Sequence, residues 1–263
     1  MKKIVLAGLV LAFATGFAQA KEWKQIRLAT EGAYPPFNET APDGSVRGFD
    51  IDIGNAVCAE MKAKCSWVKQ EWDGMIPALL SRKFDAIIAS MSITEERKKK
   101  VDFSDKYYTT PLALVAKEGS PLVPTAESLK GKKVGVQRGT IADNFATKFW
   151  EPKGVSVVRY AKQEEAYLDL GAGRMDAGFS DMLEAEGGFI SKPEGKGFAF
   201  VGNKVFGKTA EEKAVIGEGI GIAVRKKDAE LKAAFNKAIA AIRANGTYNT
   251  IRAKYFKYDI YGE

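Results

Sequence analysis

The chain has 263 residues, of which 46% are hydrophobic and 28% are charged, so its composition excludes a disordered or collagen-like protein. This length suits one large globular body or two modest domains. The formal net charge is +7, but basic and acidic residues are interspersed and no nucleic-acid-binding motif accompanies them, so a nucleic-acid partner is not predicted.

The first twenty residues are typical of a secretory signal peptide. Met1–Lys3 is positively charged, Ile4–Phe17 is an almost unbroken apolar run, and Ala18–Ala20 has the A-x-A pattern of a cleavage site. A membrane anchor is the competing interpretation, but the apolar run is short for a membrane span. We therefore predict a mature chain that starts near Lys21 and is soluble outside the cytoplasm. It would carry 38 basic and 33 acidic residues, a net charge of +5.

The first half of the mature chain alternates short apolar strands with amphipathic helices. This βαβα order predicts a mainly parallel sheet with helices on its faces. The predicted elements are a strand at Ile26–Ala29, a helix at Asp52–Met61, a strand at Cys65–Val68, a helix at Trp72–Leu80 and a strand at Phe84–Ala89.

Cys58 and Cys65 are the only cysteines. If both lay on one helix, their Cα atoms would be about 10.5 Å apart, beyond the limit of about 7 Å for a disulfide. A helix must therefore end between them if they pair. An even number of cysteines in an exported chain favours a disulfide. The absence of histidine, with only two thiols, argues against a zinc site.

From Tyr108 the chain becomes extended and proline-punctuated, and the α/β alternation then restarts. The strings FDAIIAS and MDAGFSD share a hydrophobic-Asp-Ala pattern in the same position after a helix, which indicates two similar α/β lobes. The predicted elements are a strand at Gly131–Val136, a helix at Ile141–Phe149, a strand at Val155–Tyr160, a helix at Gln163–Leu170, a strand at Met175–Phe179, a loop at Gly187–Glu212, a strand at Gly219–Val224 and a helix at Asp228–Asn245.

Polar residues follow several predicted strands at their carboxyl ends, which is where open α/β sheets place ligands. The string TEGAYPPFN breaks the first strand with two prolines. The candidate residues are Glu31, Tyr34, Trp72, Ser90, Met91, Ser92, Arg97, Gln137, Thr140, Ile141 and Asp181.

These candidates suit ligand capture better than catalysis. No histidine, free-cysteine nucleophile or nucleophile elbow is present in the sequence. Arg97 could bind a carboxylate in a bidentate fork, assisted by the helix N-terminus at Gly139–Ile141. Asp181 could accept an α-ammonium and Glu31 a second cation. Taken singly, each residue also fits a role outside a binding site, such as core packing or, for Arg97, part of a solvent-exposed basic face.

Seven strings together make the mature chain resemble the periplasmic polar-amino-acid binding proteins of ABC importers, the family 3 members with the type 2 periplasmic-binding-protein fold. The likeness is greatest to lysine/arginine/ornithine-, histidine- and arginine/ornithine-binding members. The strings are YPPF, GFDIDIGNAVC, FDAIIASMSITEER, VDFSDKYY, SLKGKKVGVQRGT, GRMDA and ANGTYNTIRAKYFKYDIYG.

The resemblance implies a two-lobe α/β protein, each lobe a mainly parallel sheet flanked by helices, joined by a two-crossing hinge. Lobe 1 would comprise residues 21–108 and 207–263, and lobe 2 residues 109–206. The function implied is capture of a cationic L-amino acid, arginine or ornithine first, then lysine, then histidine. Delivery would be to an inner-membrane ABC permease by a monomer without cofactor, metal or enzymatic activity.

The family's site residues transfer to this chain with departures. Glu31 stands where lysine/arginine/ornithine-binding members usually have aspartate, and Trp72 where they have phenylalanine or a similar ring. Ala89 replaces the first of two serines, and Ile141 replaces a hydroxyl residue. Opine-binding members also carry glutamate at the position of Glu31, so an octopine- or nopaline-type ligand is an alternative. A lyase resembling cyclohexadienyl dehydratase is the minor alternative.

Overall fold

The computed structural model describes residues 23–262. The predicted signal peptide lies outside these residues. No helix within residues 23–262 is both long and apolar enough to cross a membrane.

The first lobe is built on a five-stranded sheet in the order β5-β1-β6-β13-β7. The pairs β5/β1 and β1/β6 are parallel, and β13 is antiparallel to both β6 and β7, so four of the five strands share one direction. The strands are β1 (Gln25–Thr30), β5 (Lys64–Lys69), β6 (Ala86–Ile87), β7 (Asp102–Tyr108) and β13 (Ile220–Val224). The helices are α1 (Phe49–Glu60), α2 (Met75–Leu80), α3 (Glu95–Lys98), α9 (Ala229–Ala244) and α10 (Thr247–Tyr255).

The second lobe repeats this plan with the order β10-β9-β11-β8-β12. Here β8 is the strand that runs against the other four. The strands are β8 (Leu112–Lys117), β9 (Lys133–Gln137), β10 (Ser156–Tyr160), β11 (Ala177–Asp181) and β12 (Phe198–Val205). The helices are α4 (Ala126–Leu129), α5 (Ile141–Phe149), α6 (Gln163–Gly171) and α7 (Met182–Ala185). A further helix, α8 (Ala210–Ile216), lies between β12 and β13 and contacts both α3 and α5. The predicted pair of mainly parallel, helix-flanked lobes is confirmed.

The break after the first strand folds into a small antiparallel sheet of three strands, β2 (Ala33–Tyr34), β3 (Asn38–Thr40) and β4 (Val46–Arg47). Phe37 is fully buried, and its ring stacks on that of Tyr108 at a centroid distance of 4.6 Å. The TEGAYPPFN segment is therefore anchored in the core of the first lobe.

The chain crosses between the two sheets twice. The first crossing is Thr109–Pro111, between β7 and β8, and the second is the stretch 206–219, between β12 and β13. The backbone N–H of Thr109 donates to the carbonyl of Ile260 at 2.7 Å, which ties the first crossing to the C-terminal segment.

The predicted loop at Gly187–Glu212 is wrong. This stretch contains most of a π-helical turn at Glu186–Ile190, the whole of β12 and the start of α8. β12 forms because it adds to the edge of the second sheet by pairing with β8. The start of α8 is marked by a capping box, in which Thr209 and Glu212 accept each other's backbone N–H.

Two smaller corrections concern the first lobe. The predicted helix at Trp72–Leu80 begins with a 3₁₀ turn at Trp72–Gly74, and the predicted strand at Phe84–Ala89 pairs only at Ala86–Ile87. The short β6 leaves Ala89–Ser92 outside the regular ladder. This irregular stretch of backbone leads from β6, in the centre of the sheet, into the cleft.

Cys58 and Cys65 form a disulfide with a Cα–Cα distance of 6.2 Å. Helix α1 ends at Glu60, between the two cysteines, and β5 begins at Lys64. The pairing predicted from the sequence is therefore confirmed, together with the helix end that it requires.

Candidate ligand-binding site

A cavity between the lobes collects ten of the eleven residues predicted for the site. It holds about 280 Å³ of space, part of it open to solvent. Its lining is Glu31, Tyr34, Trp72, Ala89, Ser90, Ser92, Arg97, Gln137, Thr140, Ile141 and Asp181.

Met91 is the predicted residue that the structure does not place in the cavity wall. Its side chain is 2% exposed and belongs to the hydrophobic core of the first lobe. The backbone bends at Ser90, whose φ is +54°, and Ser90 and Ser92 line the cavity while Met91 lies in the core. Ala89 lines the cavity although the sequence did not predict it, because its small apolar side chain carries no chemical signal.

Arg97 lies on the short helix α3, whose N-cap is Thr94. The Thr94 hydroxyl accepts the backbone N–H of Arg97 at 3.3 Å. The guanidinium donates to the carbonyl of Ser92 at 3.0 Å and, across the cleft, to the carbonyl of Gly139 at 3.1 Å. It also lies over the ring of Trp72, 5.2 Å from the centroid.

Arg97 is only 8% exposed, so the alternative interpretation as a solvent-exposed surface arginine is wrong. Burial lowers its pKa to about 10, partly opposed by Asp181. The group therefore remains cationic at neutral pH. The contacts to Ser92 and Trp72, which lie in its own lobe, hold it in place before any ligand arrives, which reduces the entropy lost on binding.

Asp181 ends strand β11 on the other side of the cleft. Its Oδ2 accepts the hydroxyl of Tyr34 at 2.8 Å, a bond that joins the two lobes. Its Oδ1 is buried and has no hydrogen-bond partner within residues 23–262. Burial raises the pKa of Asp181 to about 6, although Tyr34 and Arg97 oppose this shift. A buried oxygen without a partner can accept a ligand cation.

Glu31 follows β1 and is 9% exposed. The side-chain amide of Gln137 donates to its Oε1 at 2.7 Å across the cleft and also to the carbonyl of Ala161 at 3.1 Å. This contact uses one of the two carboxylate oxygens. Burial raises the pKa of Glu31 to about 7, with the Gln137 hydrogen bond opposing the rise.

The hydroxyls of Ser90 and Thr140 are already occupied inside their own lobes. Ser90 donates to Asp50 at 3.0 Å, and the same carboxylate accepts from Asn38 and Tyr107. Thr140 caps helix α5 by accepting the N–H of Asp143 at 3.2 Å. Asp50 is fully buried, and the sequence did not indicate it because it lies in α1 rather than at a strand end.

The backbone at Gly139 brings the start of α5 to the cavity. Gly139 has a φ of +70°, a left-handed conformation that glycine adopts without strain. Its N–H donates to Asp143 at 2.9 Å, and its carbonyl accepts from Arg97. Ile141 is the first residue of α5, so its N–H is one of the amides without an intrahelical partner.

The lobes touch through the site itself. Three hydrogen bonds donated by cavity residues cross the cleft, namely Tyr34 to Asp181, Gln137 to Glu31 and Arg97 to the carbonyl of Gly139. At the rim, exposed Arg138 pairs with Asp73 at 2.9 Å. Residues 23–262 contain no group of three or more His, Cys, Asp or Glu side chains arranged to hold a metal ion.

Two α/β lobes with a buried polar cavity between the ends of their strands define a two-lobe solute-binding protein of type II topology. The family model of bacterial extracellular solute-binding proteins, family 3, matches residues 26–258. The chain belongs to this family.

Named relatives cover the full length of the chain. It is 51% identical over 262 residues to the L-arginine-binding protein of Pseudomonas aeruginosa, covering 100% of this chain and 99% of that protein. It is 45% identical over 268 residues to the lysine/arginine/ornithine-binding periplasmic protein of Escherichia coli, covering 100% of both. A solved structure of an ancestral arginine-binding protein bound to arginine superposes with a TM-score of 0.81 at 38% identity, covering 90% of this chain and 100% of that one.

Proposed function

We propose that this protein captures an L-amino acid with a cationic side chain between its lobes and delivers it to an ABC permease. The observation that carries the proposal is the charge pattern of one cavity. A buried guanidinium, Arg97, is accompanied by two buried carboxylates, Asp181 and Glu31. An amino acid with a cationic side chain has one carboxylate and two cations, so each charge has an opposite partner.

The α-carboxylate is assigned to Arg97 and to the amide of Ile141 at the start of α5. Arginine binds carboxylates through parallel N–H groups, and a helix N-terminus adds partial positive charge. The α-ammonium is assigned to Asp181, whose Oδ1 lacks a partner. Tyr34 fixes Asp181 from the opposite lobe.

The side-chain cation is assigned to Glu31, and Trp72 and Tyr34 cover the aliphatic stem. Gln137 holds one oxygen of Glu31 and leaves the other for the ligand. We rank arginine and ornithine first, lysine next and histidine last. The arginine- and lysine/arginine/ornithine-binding relatives support this class of ligand.

Lobe 1 is assigned to residues 21–108 and 207–263 and lobe 2 to residues 109–206, with the two crossings as the hinge. Contacts between cavity residues of both lobes exist only when the lobes close, so a ligand that adds further contacts shifts the population to the closed form. We also propose that the protein is a monomer exported by a cleaved signal peptide to the periplasm, a location that the periplasmic relative supports. No covalent step is assigned to the site.

Calorimetric titration of the mature protein with arginine, ornithine, lysine and histidine tests the proposal. Citrulline is the matched neutral control, because it keeps the shape of arginine and removes the side-chain charge. We expect arginine to bind and citrulline to bind at least about tenfold more weakly, the usual effect of leaving a buried carboxylate unpaired. Tight binding of glutamate or citrulline with none of arginine would contradict the proposal.

Two further experiments, a titration with octopine and a turnover assay, address the alternatives. Octopine binding tighter than arginine would favour the opine class. Turnover of prephenate or arogenate by the purified protein would replace a binding function with an enzymatic one.

A further inference from the structure

A third carboxylate, that of Glu184, lies buried close to the cavity but outside its lining. Glu184 is 2% exposed on the short helix α7, three residues after Asp181. Its Oε2 lies 2.6 Å from the hydroxyl of Tyr167 and 3.0 Å from that of Ser180. The two hydroxyls are themselves 2.7 Å apart, so three buried oxygens form a closed triangle.

The surroundings of Glu184 provide no compensating cation. Tyr167 faces it from α6, Ser180 from β11, and the acids Asp181 and Glu31 act on it from β11 and from the first lobe. Within residues 23–262 no ion pair involves Glu184. A buried carboxylate beside two other acids and without a cation is strongly disfavoured in its charged form.

The number of protons in the triangle also argues against an ionised Glu184. If Glu184 is ionised, both hydroxyls donate to Oε2, and the contact between Tyr167 and Ser180 has no proton. Ser180 also lies 3.3 Å from the carbonyl of Asp181, which adds a fourth contact for the same two protons. With one more proton on Glu184, each oxygen of the triangle donates once and accepts once.

We infer that Glu184 is a protonated, neutral carboxylic acid, and that it acts as a positioning residue that fixes Ser180 and, next to it, the ammonium acceptor Asp181. The role of Asp181 in this statement rests on the proposed function. A neutral Glu184 leaves two anionic carboxylates in the closed site to meet the two cations of the ligand. Burial, which raises the pKa of Glu184 to about 8 and that of Tyr167 well above its ordinary value, agrees with the geometry.

Infrared difference spectroscopy tests the proton directly. All three side chains of the triangle lie in one lobe, so the measurement is made both without ligand and with saturating arginine. At pH 7.5 with saturating arginine, the carbonyl band of a protonated carboxylic acid should be present in the wild-type protein and absent from E184Q; without ligand, Glu31, whose pKa is about 7, adds a smaller band to both proteins. The control E164Q, at an exposed glutamate of α6, should keep the band.

Affinity for arginine tests the positioning role. E184Q keeps a neutral group that can donate, so its affinity should stay within about threefold of wild type, whereas E184A should weaken binding about tenfold through the lost hydrogen bonds. Tyr167→Phe removes one corner of the triangle and provides a second variant should E184A fold poorly. It should weaken binding in the same direction.

The results separate this inference from the proposed function. Absence of the carbonyl band in the wild-type protein overturns the inference whatever the protein binds. Equal weakening in E184Q and E184A also overturns it, because the charged form would then be the one required. If the band is present but no cationic amino acid binds, the proposed function fails while the proton on Glu184 stands.

Discussion

At the scale of single residues, the site depends on where each buried charge finds its partner. Arg97 is held within its own lobe by the carbonyl of Ser92 and the ring of Trp72, so its position does not depend on the ligand. The acids are less fully satisfied, since Asp181 keeps one oxygen without a partner in the described chain. Empty of ligand, the cavity therefore has preformed cation acceptors whose burial disfavours their charged forms.

The raised pKa of Glu31 predicts how the affinity for arginine depends on pH. Burial raises the pKa of Glu31 to about 7, and a ligand cation beside it stabilises the ionised form. Arginine binding should therefore release a proton below pH 7. Its affinity should rise between pH 5.5 and 7.5, by up to about tenfold per pH unit for one linked proton. Calorimetry in buffers of different ionisation enthalpy measures both quantities.

Glu31→Gln is the matched variant for this experiment. It keeps the shape of the side chain and removes the titration, so the pH dependence should flatten and binding at pH 7.5 should become weaker. Citrulline should lack the increase near pH 7 in the wild-type protein and keep only the increase near pH 6 that Asp181 causes through the α-ammonium. An arginine affinity that is independent of pH across this range would contradict the assignment of the side-chain cation to Glu31.

At the scale of elements, short helices with side-chain caps present the binding groups. Helix α3 carries Arg97 and is capped by Thr94, while α4 has the same kind of cap from Thr125 and lies away from the cavity. In each case the threonine hydroxyl accepts a backbone N–H at 3.3 Å. The two caps therefore form a matched pair.

Thr94→Ala and Thr125→Ala should each lower the free energy of unfolding by about 1 kcal/mol, the usual effect of losing an N-cap. Only Thr94→Ala should also weaken arginine binding, because it loosens the turn that carries Arg97. Urea unfolding and calorimetry measure the two effects. Equal affinities in both variants would show that the cap does not position the guanidinium.

Elements and site residues differ in how well the sequence predicted them. Helix α5 was predicted with its observed bounds, because a glycine turn and a capping threonine mark its start and its apolar positions mark its length. β12, an edge strand, was missed because its pairing depends on β8, a contact between distant parts of the chain. Asp50 and Glu184 were missed because side-chain hydrogen bonds between elements leave no local pattern.

At the scale of the whole molecule, hydrogen bonds of the site residues cross the cleft, and one hydrophobic cluster also joins the lobes through Met182 and Leu183 of lobe 2. Arg97, Tyr34 and Gln137 each donate to an acceptor on the opposite lobe. The two crossings are the only covalent links between the sheets in residues 23–262. The ligand should therefore control the balance between open and closed forms.

Small-angle X-ray scattering should detect this closure. Arginine should decrease the radius of gyration of the wild-type protein and leave that of Arg97→Ala unchanged. Arg138→Ala is the control, because its ion pair with Asp73 also crosses the cleft but is exposed, and such pairs contribute about 0–1 kcal/mol. This control should close like the wild type. Closure of Arg97→Ala at the same arginine concentration would contradict the assigned carboxylate contact.

The buried acid of the second lobe also affects the stability of the whole protein. The pKa of Glu184 is raised to about 8 in the folded state, against an ordinary value of 4.5. Between these values the folded protein binds a proton that the unfolded chain lacks, so the contribution of Glu184 to stability is lost as the pH rises. Acids whose pKa is lowered, such as Asp85 and Glu151, vary in the opposite sense but at more acidic pH.

E184Q removes this dependence, because glutamine does not titrate. From pH 5 to pH 8 the wild-type protein should therefore lose stability relative to E184Q, by up to about 1.4 kcal/mol per pH unit. Urea unfolding of both proteins at each pH measures the difference in stability. E164Q is the control, and its stability relative to the wild type should not change with pH in this way. A difference that stays constant, or that grows in favour of the wild type as the pH rises, would mean that Glu184 is ionised in the folded protein.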